Sequence, residues 1–311
     1  MNEILIHDIN EQLLASPEHA VIDAEAAYDR QLRDLADTIC RQASSRPIIL
    51  ISGPSGSGKT TTACRLEQIL DAAGYESHTL SMDNYYSDGI KNKDIVDQFG
   101  NPDYESPARL DTDLLNTQLE QLAQGEEVEL PVFDFAAQKQ LKSGKKLRRK
   151  PHELIIMEGI HALNPDVIGN AHDTAVRIYL SVRTRITKDD RKLHPSLIRF
   201  ARRLIRDNRT RGRAPEESCR MLSSISRGEN LYIMPYKHYA DYELDTFMQY
   251  ELSVYRPFIL DTVRKLTEIA EPDSGIPMLL EFLEQLVPTE TEWIPEQSLV
   301  REFIGGSIFT A

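Results

Sequence analysis

The strongest hydrophobic signal in the chain is an unbroken apolar run, Pro47-Ile48-Ile49-Leu50-Ile51. A run without alternation is what a strand buried on both faces of a parallel sheet requires. Residues 154–157 form a second such run, and residues 75–82 and 176–182 also read as strands, giving three further strands. Between the first two strands the period changes. Ala63, Leu66, Ile69, Leu70 and Ala73 share one face of a predicted helix over 60–73, and Gly74 supplies its stop. Strands separated by helical stretches predict an α/β fold around a central parallel sheet. Residues 94–150 form a long insert. It holds an irregular Pro/Asp-rich stretch over 94–110, a helix over 111–124 and a hairpin pairing 128–135 with 145–150. Residues 1–46 carry helical spacing at Leu32, Leu35 and Ile39 and no evident chemistry. Beyond Asp245 the pattern predicts helices over about 248–270 and 276–287, then a Pro-punctuated tail. The organisation expected is an N-terminal helical extension (1–46), a core (47–247) and a C-terminal helical segment (248–311).

The 311 residues suffice for a full core, and 41% hydrophobic with 27% charged content is ordinary for a globular chain. No apolar run reaches the ~18 residues of a membrane span, and the N-terminus lacks a signal-peptide pattern. Cys40, Cys64 and Cys219 are scattered, which points away from a disulfide framework or a zinc site. A cytoplasmic location with no membrane partner is the expectation. Net charge is −13, from 36 Lys/Arg against 49 Asp/Glu, and this argues against nucleic-acid binding. The cations are nevertheless gathered in two places, residues 139–150 and 199–213. Such gathering implies a local anion. Self-association is left open.

Gly53-Pro54-Ser55-Gly56-Ser57-Gly58-Lys59-Thr60 matches G-x-x-x-x-G-K-[ST], with a buried strand before it and an amphipathic helix after it. The glycines let successive N–H groups converge on phosphate, and the helix N-terminus adds partial positive charge. Lys59 reaches the β and γ phosphates, and Thr60 is a ligand for Mg²⁺. Gly53, Ser55, Gly56, Ser57, Gly58, Lys59, Thr60 and Thr61 are therefore the expected nucleotide-binding set. The fold class that follows is the three-layer P-loop NTPase fold, with an inserted hairpin and a helical lid. Glu158, ending the strand 154–157, is the expected second Mg²⁺-holding group.

A GTPase would need Asn-Lys-x-Asp, and Asn92-Lys93-Asp94-Ile95 fails at the fourth position. A small-molecule kinase needs an acid near the acceptor hydroxyl and a cationic lid. The lid is expected over 191–215. At about 100° per residue, Arg199, Arg202, Arg203, Arg206 and Arg209 fall within an arc of about 120°. Leu197, Ile198, Ala201, Leu204 and Ile205 lie opposite. The helix would pack by its apolar face and present arginines from the other. Arg211 and Arg213 bracket Gly212, where a loop can close.

The segments GPSGSGKTT, LSMDNYY, PVFDF, IIMEGIHAL, RRLIRDNRTRGR and YKHYAD, in this order over about residues 47–246, resemble the phosphoribulokinase/uridine kinase family. The tail IPEQSLVREFIGGS looks like that of a bacterial uridine kinase or nucleoside kinase branch. The resemblance implies a kinase using ATP and Mg²⁺ on a small-molecule hydroxyl, with a nucleoside such as uridine or cytidine leading and a sugar or sugar phosphate as runner-up. It implies Asp83 as general base and Asp103 as a ribose-binding carboxylate. It further implies Arg203, Arg206, Arg211 and Arg213 as phosphate-contacting lid arginines, and Phe133 and Phe135 as walls of the acceptor pocket. Tyr85, with Tyr86 and Tyr104, is a candidate for shaping that pocket. Two departures concern the acceptor. In the first, Gln138 stands where the family has a base-reading histidine and Phe133 replaces a tyrosine; in the second, NPDYESP around Asp103 replaces the usual DHPDA-type run. A reading from another class, a nucleotide-binding regulatory module, stands because no catalytic step requires the helical ends.

Overall fold

The computed structural model describes residues 2–98 and 100–309. A short strand, β1 (Glu3–Leu5), leads into α1 (Ile6–Ala15) and the long α2 (Pro17–Gln42). Ser16 starts α2 by accepting the His19 N–H, and Pro17 supplies a helical φ where no donor is needed. β2 (Ile48–Ser52), α3 (Lys59–Ala72) and β3 (Ser77–Ser81) follow. A 3-10 turn over Met82–Tyr85 and a single turn, α4 (Gly89–Asn92), precede α5 (Thr112–Gln124). Asp111 caps α5, and Gly125 ends it at φ 78°. β4 (Glu127–Asp134) and β5 (Lys139–Arg148) form the inserted hairpin. Then come β6 (Leu154–Glu158), α6 (Pro165–Ile168), α7 (Ala171–Thr174) and β7 (Val176–Ser181). β8 (Arg185–Lys188) and β9 (Arg191–Leu193) lead to α8 (Pro195–Thr210), α9 (Pro215–Arg220) and α10 (Leu222–Tyr232). The chain continues through β10 (Tyr242–Asp245), α11 (Glu251–Leu266), α12 (Ile276–Gln285) and α13 (Arg301–Ile304).

The central sheet is all-parallel, in the order β10-β7-β2-β6-β3. Every residue of β2 and β6 is buried, so both faces are covered. Alternation along β2 explains how. Ile49 and Ile51 enter one apolar cluster with α2, α3, α8, α11 and α12, while Ile48 and Leu50 enter a second with α5, Val128 and Leu80. The two clusters are the outer layers of a three-layer α/β fold.

Four strands, β1, β8, β9 and β10, fall outside the sequence expectation. β10 is four residues long with a polar edge, and its parallel pairing to β7 decides its conformation. β1 pairs with β8 in a separate three-stranded sheet, β1-β8-β9. The hairpin is longer than expected on its second strand, with a register shift between Glu129 and Pro131, where Pro131 has no N–H for the ladder. Its basic run lies along an exposed face, where Lys142 and Lys146 pair with Glu129 and Glu127.

Both ends of the chain share the core of the middle. Ile9, Tyr28, Leu32 and Ile39 lie in the same apolar cluster as Tyr255, Phe282, Leu299 and Phe303. Polar contacts tie them as well: Tyr250 donates to Glu25 at 2.7 Å, and Asn10 exchanges hydrogen bonds with Gln285 and Val287. Among the described residues no helix is long and apolar enough to cross a membrane.

Candidate active site

The sheet order brings three chemical groups to one edge. β2, β6 and β3 are adjacent and parallel, and in register Ile51 faces Glu158, which faces Ser81. The loop after β2, the acid ending β6 and the aspartate two residues beyond β3 therefore meet at the carboxyl ends of neighbouring strands, where open α/β sheets bind ligands.

The loop between β2 and α3 has the shape a phosphate needs. Gly56 and Gly58 adopt φ of 76° and 83°. A Cβ on Gly53 would strike the Leu180 carbonyl, and one on Gly58 would strike the Leu299 side chain. The Ser57 hydroxyl is buried without a hydrogen-bond partner, and Lys59 Nζ reaches back to the Pro54 carbonyl at 3.4 Å. The α3 ladder begins with Thr62 N donating to Gly58 O at 3.0 Å. The amides of Lys59, Thr60 and Thr61 thus stand at the positive end of the helix, outside its ladder. A cradle that admits no side chain, an orphan hydroxyl and a lysine fit a nucleotide phosphate chain.

Glu158 is 5% exposed. Burial pushes its carboxyl up to about 7, with Asp83 raising it further and Lys59 and the Ser81 hydroxyl pulling it down. The Thr60 hydroxyl and the Glu158 carboxylate are hard oxygen donors, the kind that suits Mg²⁺. Asp83 opens the 3-10 turn with its N–H donated to Ser81 Oγ at 3.3 Å, and its side chain is exposed.

The arginine-rich helix α8 departs from the picture of an apolar face opposite an open cationic one. Arg202 is 0% exposed, donating from Nε and Nη2 to Glu251 at 2.7 and 2.9 Å and lying over the Phe303 ring. Arg199 is buried in a bidentate pair with Glu229. Periodicity gave their direction but not their partners, which come from α10 and α11. These arginines also grip the phosphate loop from outside. Arg202 donates to Gly56 O at 3.0 Å, and Arg199 and Arg203 donate to Ser55 O at 3.1 and 3.4 Å. Turning those carbonyls outward aims the following amides, of Gly56 and Ser57, toward the cradle. The first two turns of α8 are therefore a fixed wall. Burial and then the nearby Arg199 lower Arg203 to about 10, which leaves it charged at neutral pH.

The remaining lid arginines converge on one carboxylate. Asp207, 3% exposed, pairs with Arg206 at 2.9 Å, Arg213 at 3.2 Å and Arg211 at 3.6 Å. Arg211, which carries Asp83 and Arg206 among its charged neighbours, is lowered chiefly by burial.

Where the hairpin meets the residues after β3, Tyr86, Phe133 and Phe135 pack edge to face, with centroids 5.6, 6.2 and 5.1 Å apart. Asn84 accepts the Phe133 N–H at 3.4 Å and so fixes the hairpin to the Asp83 turn. Tyr85 does not line this wall. It is 1% exposed, and its hydroxyl donates to Gln118 at 2.8 Å, because the three-residue period of the 3-10 turn puts Met82 and Tyr85 on one inward face. Against the expectation for Tyr85, it is Tyr86 that joins the two phenylalanines, while Tyr85 packs in the core. Gln138 occupies a left-handed position (φ 51°) and its amide donates to the Phe135 carbonyl at 2.9 Å, so the side chain stabilises the hairpin turn. Asp103 is buried, with Oδ2 accepting from Arg227 and Tyr232, both at 3.0 Å. Arg227 and Tyr232 carried no sequence signal, since they lie on a helix far along the chain without a recognisable spacing. Glu105 sits beside them with one oxygen unpartnered, and burial with Glu229 nearby raises its carboxyl to about 7. His161 is buried near Lys59 and Asp103, and burial lowers it to about 4, so it is a neutral ring at pH 7.

A model of the phosphoribulokinase/uridine kinase family matches residues 48–253. The uridine kinase of Lactobacillus johnsonii is 37% identical over 204 residues, which are 64% of this chain and 86% of that protein. The Staphylococcus aureus uridine kinase is 34% identical over 195 residues, 62% of this chain and 84% of that one. Among solved structures, a possible uridine kinase from Bacillus stearothermophilus is 21% identical with a TM-score of 0.43, covering 69% of this chain and 100% of that one. With the phosphate loop, the strand-end acids and the arginine-bearing helix on one edge of the sheet, the family match spans the whole of that site, and the chain belongs to the phosphoribulokinase/uridine kinase family of P-loop kinases.

Proposed function

We propose that the chain transfers the γ-phosphoryl group of ATP to a hydroxyl of a nucleoside, uridine or cytidine ahead of others. The observation that carries this reading is the meeting of Asp83, Glu158 and the Lys59 loop at adjoining strand ends, beside a wall of three aromatic rings. A flat heterocycle packs well against such rings. The names of the two bacterial relatives point the same way.

Lys59 and the amides of the loop hold the phosphates, which fixes the line of transfer. Thr60 and Glu158 would hold Mg²⁺, whose charge would offset that developing on the phosphoryl oxygens. Asp83 accepts the proton of the attacking hydroxyl. Arg206, Arg211 and Arg213 move from Asp207 toward the transferring group as the lid loop closes, while Arg203 stays against the loop. Phe133, Phe135 and Tyr86 position the acceptor. The Asp103–Arg227–Tyr232 cluster shapes the pocket floor, and Asp103 Oδ1, which accepts the Glu105 N–H at 3.3 Å, has a second lone pair for a sugar hydroxyl.

The test is ADP release coupled to an optical readout, across nucleosides, pentoses and sugar phosphates. Uridine or cytidine is expected to give the highest kcat/KM. Asp83→Asn should lower kcat by about 10² to 10⁴ with ADP still bound, the range lost with a general base. A sugar phosphate as best acceptor overturns the nucleoside reading, and full activity in Asp83→Asn removes that residue from the chemistry.

A further inference from the structure

The tail IPEQSLVREFIGGS takes part in none of the steps above, yet it lies against the phosphate loop. Glu302 Oε2 accepts the Thr61 N–H at 3.3 Å and the Thr61 hydroxyl at 2.7 Å. Leu299 fills the space beside Gly58 where a Cβ would stand. Gly305, at φ 89°, leaves room for the Arg209 guanidinium, and Phe303 lies under Arg202, which itself holds Gly56 O. Residues 298–305 therefore touch the loop, the start of α3 and helix α8 together.

The contact at Thr61 is chemically specific. Its amide is the third in α3, beyond the reach of the helix's own ladder, and is one of the donors that give a helix N-terminus its affinity for anions. A carboxylate already accepts from it. The position adjoins Lys59 and Thr60, where the phosphate chain runs. Glu302's charge is also felt at Glu158, which places both in one field.

We propose that Glu302 is a resident anion of the nucleotide site: its carboxylate holds the Thr61 amide in the free enzyme, and a nucleotide phosphate must displace it to bind. The C-terminal strap is then a part of the site that sets nucleotide affinity. Docking of residues 298–305 and binding of phosphate compete for one donor, and two negative groups cannot share it without repulsion. Displacing Glu302 releases Leu299 from Gly58 and Gly305 from Arg209, so the strap loosens as the nucleotide enters. The proposal rests on the loop being the nucleotide site.

The experiment is calorimetric titration of the full chain with ADP and, separately, with adenosine, which has no phosphate. Glu302→Gln keeps the shape and a hydrogen-bond acceptor but removes the charge. It should bind ADP about tenfold more tightly, a shift of ~1.4 kcal/mol, and bind adenosine as the wild type does. Glu302→Asp, which retains the charge, should fall between the two. Leu299→Ala weakens strap docking without touching the carboxylate, so it should also tighten ADP and keeps the test alive if Glu302→Gln folds poorly. ADP affinity unchanged or weakened in both Glu302→Gln and Leu299→Ala overturns the proposal and leaves Glu302 a structural cap. A wild-type chain that binds no ADP overturns the reading of the loop itself, which is a separable outcome.

Discussion

Replacing Arg202 with methionine takes a guanidinium away from a site with no solvent to replace it. Arg202 and Glu251 are both 0% exposed. The side chain gives hydrogen bonds to Glu251 at 2.7 and 2.9 Å, to Thr246 O at 2.6 Å and to Gly56 O at 3.0 Å. In the single variant Glu251 retains the Met248 amide, at 3.0 Å, but loses its charged partner. Stranding one member of a buried pair costs ~3–5 kcal/mol, a large share of the ~5–15 kcal/mol that keeps a domain folded. The double variant Arg202→Met/Glu251→Met exchanges the pair for apolar volume, and such exchanges are neutral or stabilising by ~1–4 kcal/mol. It still leaves the Gly56 and Thr246 carbonyls without their donor, at ~1–3 kcal/mol each. Urea denaturation should therefore show a steep loss in the single variant and recovery of most of it in the double. The kinetics should separate from the stability. With Gly56 O unheld, the cradle amides lose their orientation, and KM for ATP should rise about tenfold in the double variant with kcat less affected. A double variant with wild-type stability and wild-type KM for ATP would refute the loop-holding role. A single variant losing less than about 1 kcal/mol would refute the reading of the buried pair.

Glu105 supplies a pH signature. Its folded value of about 7 lies above the ordinary 4.5, so the protein binds this proton more tightly folded than unfolded. Its stabilising contribution is complete below about pH 4.5 and is lost as pH rises through about 7. The wild type should melt at lower temperature at pH 8 than at pH 5.5, and Glu105→Gln should reduce that fall. Glu158 titrates in the same window, so part of the slope remains. An unchanged slope in Glu105→Gln would show that Glu105 is ionised in the fold. Tyr85→Phe removes one buried hydrogen bond, to Gln118, and should cost ~1 kcal/mol of stability with acceptor KM unchanged. A several-fold change in acceptor KM at equal stability would return Tyr85 to the pocket wall.

The parts of the site that rest on local constraints were legible from residue order. Gly56 and Gly58 announce a loop no other residue type can make, and the runs at 48–51 and 154–157 announce doubly covered strands. From those follow the meeting of loop and strand-end acid. Groups that act through distant partners were not legible. The arc of arginines on α8 is real, but whether each one faces phosphate or carboxylate depends on Glu229, Asp207 and Glu251, which the fold brings in from elsewhere. Arg227 and Tyr232 reach Asp103 across more than a hundred residues, and β10 is a strand only because β7 offers it an edge. Tyr85 and Tyr86 are adjacent and chemically alike, so only the turn beneath them tells wall from packing.

The sharing of one core by the two ends of the chain has a consequence in time. During synthesis α2 and the phosphate loop leave the ribosome well before Tyr250, Leu299, Glu302 and Phe303 are made. At ~5–20 residues per second, residues 250–311 take about 3–12 s to appear. For that interval the apolar face of α2 and the underside of the loop lack their cover, and Arg202 lacks both Glu251 and Phe303. The loop is therefore completed only after Phe303 has been made. Nascent chains arrested before residue 250 are expected to leave the apolar face of α2 without that cover.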